Sequence, residues 1–194
     1  MGDVPTIFTG ADTASEAVEK LELDGWDWVF IDTPPAFVNT IEDAIENATL
    51  VLIPLRPGAL DLIASEDAVA MSREAGKPYL CIINDAEPRW KTTNSARDYL
   101  LAASVPVAEQ IIAHRQAYLG AMTSGRTGPE TERDNKCKEE IDGLWDEIKR
   151  TLAKSKGKER RRGCDRPGMR THGWRHPHSG RGSEVSSGIG RRVV

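Results

Sequence analysis

Several features that define whole classes of protein are scarce in this sequence. No apolar run approaches the roughly 20 residues that a membrane-spanning helix needs. The three cysteines, Cys81, Cys137 and Cys164, are odd in number and widely spaced, which argues against a disulfide framework. The first residues show no basic start followed by an apolar stretch, so no secretory signal is visible. These absences predict a cytoplasmic protein with no membrane partner.

The composition is that of a soluble globular chain with an unusual distribution of charge. Apolar residues make up 39% of the 194 residues and charged residues 29%. Residues 1–152 carry 14 Lys and Arg against 27 Asp and Glu, a net charge of −13, whereas residues 153–194 carry 12 against 3, a net charge of +9. The sequence therefore predicts one acidic domain, or part of one, over residues 1–152 and a basic tail over 153–194.

The tail is rich in Arg, Gly, Ser, His and Pro and has few aliphatic residues, so we expect disorder from about residue 154. Three interpretations of the tail stay open. Its basic residues are suited to non-specific DNA binding. Its possible metal ligands, Cys164, His172, His176 and His178, match no zinc-finger spacing. The segment also has the composition of out-of-frame or read-through coding.

In the acidic part, short continuous apolar runs alternate with segments of helical periodicity. The runs "WVFI", "LVLIP" and "YLCIIN" are typical of strands covered on both faces. The predicted helices lie at about 13–25, 40–48, 61–76, 93–103, 115–124 and 132–153, the first with a capping box of Thr13 and Glu16 and the third opened by Asp61. This alternation predicts a doubly wound α/β domain with a mostly parallel sheet.

Ligands of such sheets lie beyond the carboxyl ends of the strands, so the residues that follow each apolar run are the candidates. Asp32 follows the first run, and a carboxylate at a strand end can hold hydrated Mg²⁺ in enzymes that handle phosphate. An aspartate at this position can equally accept hydrogen bonds from the first turn of the next helix. Position alone does not decide between the two.

Four segments in the same order resemble the ParA/MinD family of deviant-Walker P-loop ATPases. They are "WDWVFIDTPP" (26–35), "ENATLVLIPLRPGALDL" (46–62), "YLCIIN" (79–84) and "QIIAHRQAYLGAMTSGRTGPE" (110–130). The resemblance covers nearly all of residues 1–152, and the partitioning branch is more similar than MinD. It implies an ATPase that binds ATP and Mg²⁺, forms an ATP-dependent homodimer, binds non-specific DNA and responds to a ParB-like centromere-binding protein.

The same resemblance implies a role for individual residues. Asp32 would lie near Mg²⁺ and the attacking water, and Thr33 and Pro34 would form the segment that senses the γ-phosphate. Asn84 would bind the adenine edge, because an amide offers both a donor and an acceptor. Pro106 would pack near the base. Asn84 is also a common residue type for the turn that ends a strand.

One motif of the family is missing. No Gly-x4-Gly-Lys-Ser/Thr occurs anywhere in the sequence, and the backbone N–H groups and lysine of that loop supply most of the phosphate binding. We therefore expect inefficient ATP hydrolysis by this chain alone. Met1 falls where the family has passed its first two strands, so we expect a truncated gene, a pseudogene product or a fragment. A missing central strand would leave neighbouring strands unpaired and solubility marginal.

Two further interpretations of the acidic part are weaker. The apolar stripe of the last helix could target a membrane, but residues 132–148 carry seven acids and three bases, which anionic lipids would repel. An iron–sulfur cluster would need paired cysteines, and Cys81 lies inside a predicted buried strand. Two function classes remain: an ATP-dependent partitioning protein, and a non-enzymatic remnant or interaction module of the same family. Whether the chain is an enzyme stays open.

Overall fold

The computed structural model describes residues 13–33, 38–87, 89–131, 135–164 and 192–193. The elements in chain order are α1 Ala14–Leu23, β1 Trp28–Val29, α2 Val38–Asn47, β2 Val51–Leu55, α3 Ala59–Glu74, β3 Tyr79–Ile83, α4 Lys91–Ala102, α5 Gln116–Met122, a 3-10 turn Gly128–Glu130, α6 Asn135–Cys164 and β4 Arg192–Val193. All the predicted helices of the acidic part are present, with ends displaced by a few residues.

Two helix starts show how local chemistry sets these ends. The hydroxyl of Thr13 accepts a hydrogen bond from the Glu16 amide (3.2 Å), as the predicted cap requires. The prediction that Asp61 opens α3 is wrong, because Gly58 is the N-cap and Asp61 lies in the first turn. An acid in the first turn still stabilises the helix through its dipole, so the sequence signal was displaced by one turn only.

The last helix is much longer than the sequence predicted. We expected a helix that ends near residue 153 and disorder from about 154, but α6 continues to Cys164. The added stretch is built mainly from Lys, Arg and Glu, which have good helix propensity, and it extends a helix that tertiary packing has already nucleated. Residues 165–191 and 194, including the three tail histidines, lie outside the described part of the chain.

Strands β2 and β3 form a parallel pair joined through α3. The register pairs Val51 with Tyr79 and Leu55 with Ile83. Beyond β3, the segment at 106–108 continues the parallel arrangement, with the Cys81 amide donating to the Pro106 carbonyl (2.9 Å). This part of the chain is a β-α-β unit of the kind that the sequence predicted.

Strand β3 is covered on both faces, as predicted from its continuous apolar run. Leu80 and Ile82 belong to one cluster with Ile148 and Leu152 of α6. The alternate residues of β3, Cys81 and Ile83, belong to a second cluster with side chains of α3 and α4. Helices therefore lie on opposite faces of this strand. Within the described residues, the parallel pairs are two two-stranded sheets, so a complete doubly wound sheet stays a prediction.

Strand β1 is shorter than predicted. The run "WVFI" was expected to be one strand buried on both faces, but only Trp28 and Val29 are assigned to a strand, paired with β4, and Phe30 is 60% exposed. Successive residues of this run still pack against different elements. The Trp28 ring contacts the Trp145 ring of α6 at 4.4 Å between centroids, whereas Val29 packs against Val18 of α1. A strand needs ladder partners as well as apolar residues, and only two residues here have them.

A mainly apolar cavity of about 280 Å³ separates the end of the first apolar run from β2. We call it the apolar slot. Its walls include Phe30, Ile31 and Thr33 on one side and β2 and α2 on the other. The Val51 amide donates to the Pro78 carbonyl, and the Asn84 amide donates to the Leu55 carbonyl. The backbone N–H and C=O groups of the odd-numbered residues of β2 therefore point toward β3. Leu52 and Pro54 therefore direct their backbone groups toward the opposite edge of β2.

Candidate functional site

A cleft of about 520 Å³ lies at the carboxyl ends of β2 and β3, where an α/β sheet usually binds its ligand. We call it the strand-end cleft. Its lining residues are Pro54, Arg56, Ile82, Asn84, Asp85, Ile112, Ala113, His114, Arg115, Tyr118, Leu119, Ile141 and Leu144. Apolar walls with a few polar groups at the mouth are typical of small-molecule sites.

The backbone around the cleft departs from a regular parallel ladder. The Ile112 amide donates to the Ile83 carbonyl (3.0 Å), and the Ile112 carbonyl accepts from the Ala86 amide (3.2 Å). In a regular parallel ladder the Ile112 carbonyl would accept from the amide of residue 85, two positions after Ile83. Here it accepts from residue 86, so β3 carries one extra residue at this point. Asn84 and Asp85 thus form a one-residue bulge, a feature that often redirects side chains next to a binding site.

Asp85 joins the three chain segments that surround the cleft. Its backbone has φ +54°, the left-handed region, which aspartate tolerates better than most residues. One carboxylate oxygen lies 3.2 Å from Nε of Arg56, just after β2, and the other lies 2.5 Å from Nδ1 of His114. The segments after β2 and β3 and the segment at 112–115 are therefore connected through one side chain.

The floor of the cleft is held by Glu140 of α6, which is 8% exposed. Its carboxylate accepts hydrogen bonds from Nε and a terminal nitrogen of Arg115 (3.0 and 2.6 Å), from the Tyr118 hydroxyl (3.2 Å) and from the Ala113 amide (3.3 Å). Burial, and then the neighbouring Glu140 charge, raise the pKa of Tyr118 well above its usual range. Tyr118 therefore stays protonated and donates at neutral pH.

A second α6 carboxylate supports the irregular stretch beside the cleft. Between the pairings of Val107 with Cys81 and of Ala113 with Ala86, the chain contains more residues than β3 can match. Glu147 accepts the amides of Glu109 (2.8 and 3.0 Å) and Gln110 (3.2 Å) in this stretch. Amides that leave the ladder still need acceptors, and the helix supplies one.

The predicted site residues fall into separate places. Asn84 is exposed and lines the strand-end cleft. Thr33 lines the apolar slot, and Asp32 beside it is exposed. Pro34 lies outside the described residues. Pro106 lies beside the middle of β3, with its carbonyl bonded to Cys81, and it is not among the residues that line the cleft.

Sequence reasoning missed four cleft residues with polar side chains: Arg56, Asp85, His114 and Arg115. Two of them, Arg56 and Asp85, lie among the positions after strand ends to which the rule points, but no role was assigned to them. His114 and Arg115 follow the run "IIA", so they also lie directly after an apolar run. Their contacts with one another and with Glu140 join residues 25 to 29 positions apart, and the sequence alone does not predict such contacts.

The residues present suit the base of a nucleotide better than a metal ion. The amide of Asn84 can donate and accept at a base edge, and apolar side chains of the cleft can contact the ring faces. Among the described residues, no group of three or more His, Cys, Asp or Glu is arranged to hold a metal. A magnesium ion would therefore need phosphate oxygens and water beside Asp32.

No helix in the described ranges combines the length and the apolar character that a membrane crossing requires.

Comparison with known proteins gives one informative similarity. The chain is 30% identical over 112 residues to "Maintenance of carboxysome distribution protein A" of Halothiobacillus neapolitanus, a match that covers 55% of this chain and 52% of that protein. The chain thus spans about half the length of the curated relative it matches. No family model matches the sequence. The similarity supports a ParA/MinD-like relationship.

Proposed function

We propose that this chain is a ParA-like positioning protein that binds an adenine nucleotide at the carboxyl edge of its sheet. The base would lie in the strand-end cleft beside Asn84, and the phosphates with Mg²⁺ would lie toward Asp32 and Thr33. The similarity to a protein named for carboxysome distribution supports a positioning role in general. Plasmid or chromosome partitioning is a narrower form of the same proposal.

One observation carries the proposal: the strand-end cleft and the apolar slot meet at Pro54. This residue lines both cavities, with Asn84 in the first and Thr33 in the second. Pro54 is the penultimate residue of β2, so both cavities reach the carboxyl end of this strand. A nucleotide that crosses over Pro54 could contact both predicted groups, which are otherwise separate.

Binding and hydrolysis are expected to differ in this chain. The sequence has no glycine-rich loop with its lysine, so backbone N–H groups and a cation that would stabilise the transferred phosphate are missing. We propose nucleotide binding without efficient hydrolysis by the chain alone. The ATP-dependent homodimer, the ParB-like partner, non-specific DNA and a cytoplasmic location belong to the same proposal.

Calorimetric titration of Mg-ATP into the purified full chain tests the proposal. We expect binding in the micromolar range, weakened about fivefold by Asn84→Ala, because one lost hydrogen bond costs about 1 kcal/mol. Asp32→Ala should also weaken binding when Mg²⁺ is present and have less effect when it is removed. Asn94→Ala is the matched control, since Asn94 is an exposed asparagine on α4 outside the cleft.

The alternative is a non-enzymatic interaction module, and the apolar slot favours it. The slot presents apolar side chains of α2 and β2 to the space beside Thr33, and this would suit an apolar partner better than phosphate. A folded chain that gives no heat with Mg-ATP would contradict nucleotide binding and leave the interaction module as the better proposal.

A further inference from the structure

We propose that Asp85 is the positioning residue of the strand-end cleft, and that it sets base specificity by holding the bulge that presents Asn84. This inference rests on the proposed function, since it concerns the same nucleotide site. Asp85 itself need not touch the nucleotide. Its role follows from three observations on the described residues: the interrupted ladder, the left-handed backbone and the contacts of the carboxylate with Arg56 and His114.

The interrupted ladder releases Asn84 from the interior of the sheet. The Asn84 amide still donates to the Leu55 carbonyl (2.8 Å), so the residue is anchored on the β2 side. On the other side, pairing resumes only at Ala86, which is 1% exposed and bonded to the segment at 112–114. Asn84 is exposed between these two anchors. A regular ladder at this point would change the direction in which the Asn84 side chain leaves the backbone.

The left-handed backbone of Asp85 is what allows the extra residue. A non-glycine residue in this region costs free energy, so surrounding contacts must maintain it. Those contacts are the ion pair with Arg56 (3.2 Å) and the hydrogen bond with His114 (2.5 Å), one on each side of β3. Because both partners lie on cleft-lining segments, the carboxylate fixes the width of the cleft mouth together with the bulge.

Base discrimination depends on such placement. An asparagine amide can pair with N6 and N7 of adenine, which offer one donor and one acceptor, whereas the same edge of guanine offers two acceptors, O6 and N7, that the amide cannot both satisfy. A misplaced amide loses the hydrogen bonds that distinguish the two bases, whereas contacts of the apolar walls with either ring remain. Loosening Asp85 should therefore reduce the preference for adenine more than it reduces nucleotide binding in general.

The test compares ATP and GTP affinities, measured by calorimetry with Mg²⁺, for the full chain and three variants. Asp85→Asn removes the charge and keeps a residue that tolerates the left-handed backbone. Asp85→Gly removes the carboxylate and the steric cost together, so it protects the fold. Ser104→Gly is the control, because Ser104 also has a positive φ (+55°) but does not line the cleft.

We expect the wild-type chain to prefer ATP, and both Asp85 variants to weaken ATP binding about tenfold while GTP affinity changes less than about twofold. Ser104→Gly should leave both affinities unchanged. Equal losses for ATP and GTP in the Asp85 variants, or an unchanged ratio, would overturn the role of Asp85. A wild-type chain that binds neither nucleotide would instead overturn the proposed function.

Discussion

At the residue scale, the sequence predicted that Asn84 lies at a strand end, but it did not predict the contacts around that residue. An amide directly after a buried apolar run is a recognisable signal, because strand ends carry ligands in parallel sheets. The role of Asp85 depends on Arg56 and His114, each 29 positions away along the chain. Such contacts arise from the register of strands and segments that a single sequence does not specify. Asp32 follows from the same rule, and it is not among the residues that line the cleft.

The buried thiol of Cys81 supports a prediction about alkaline pH. Burial raises the pKa of Cys81 to about 11 from its ordinary value of 9.0, against a smaller opposing effect of Arg73. The unfolded chain therefore loses this proton first, and the stability that is complete below pH 9 should fall by roughly 2 to 3 kcal/mol as pH rises to 11. Urea unfolding followed by circular dichroism between pH 8 and 11 measures this decline.

The matched variant in that experiment is Cys81→Ala. It should start less stable because it leaves a small cavity, and it should lose less stability with rising pH. Tyr118, whose pKa is also raised, accounts for the decline that remains. The same pH slope in both proteins would contradict a buried, protonated Cys81.

At the scale of elements, α6 shows which part of a helix the sequence could predict. Its packed part was recognisable from an apolar stripe that includes Ile148 and Leu152, and both residues are buried against the sheet. Its continuation to Cys164 was missed, because a highly basic composition was interpreted as disorder. Helix propensity and the packed helix that precedes this stretch favour a continued helix instead. The hydrogen bonds that Glu140 and Glu147 of α6 accept from segments beside the cleft could not be predicted, because carboxylates on a helix normally face solvent.

Glu140 gives the prediction at this scale. Glu140→Ala removes one buried acceptor of four hydrogen bonds from Ala113, Arg115 and Tyr118, so we expect a loss of about 2 to 4 kcal/mol in the free energy of unfolding. Chemical denaturation measures the change. Glu139→Ala is the control, because Glu139 is its exposed neighbour and should change stability by less than about 0.5 kcal/mol. Similar losses in both variants would show that the Glu140 contacts add little.

At the scale of the whole molecule, the separation of charge lies along α6 itself. Residues 135–148 of this helix contain two bases and five acids, whereas residues 149–164 contain eight bases and one acid. The acidic half packs on the sheet, and the basic half has almost no apolar residues, a composition that favours phosphate over a lipid surface. The predicted basic region therefore begins inside a helix of the domain rather than after it.

This arrangement predicts which charges affect binding to duplex DNA. Replacing Lys154 and Lys156 together by Gln should weaken binding and reduce the slope of log K against log salt by about 1 to 2, because fewer counterions are released. The same replacement of Lys136 and Lys138, in the acidic half of the helix, should have little effect. Fluorescence anisotropy with labelled DNA at several salt concentrations distinguishes the pairs. Equal effects would mean that net charge, and not this segment, governs the association.

Pro54 has a consequence for how this protein behaves in concentrated solution. Its backbone faces the edge of β2 opposite β3, and proline has no N–H group to offer there. A foreign strand that reached this edge could donate to carbonyls but would find a donor missing near the carboxyl end of the strand. Natural sheets use proline in this way to hinder fibril-like stacking between molecules. The residue that lines both cavities thus also leaves this edge of β2 with one hydrogen-bond donor fewer for an added strand.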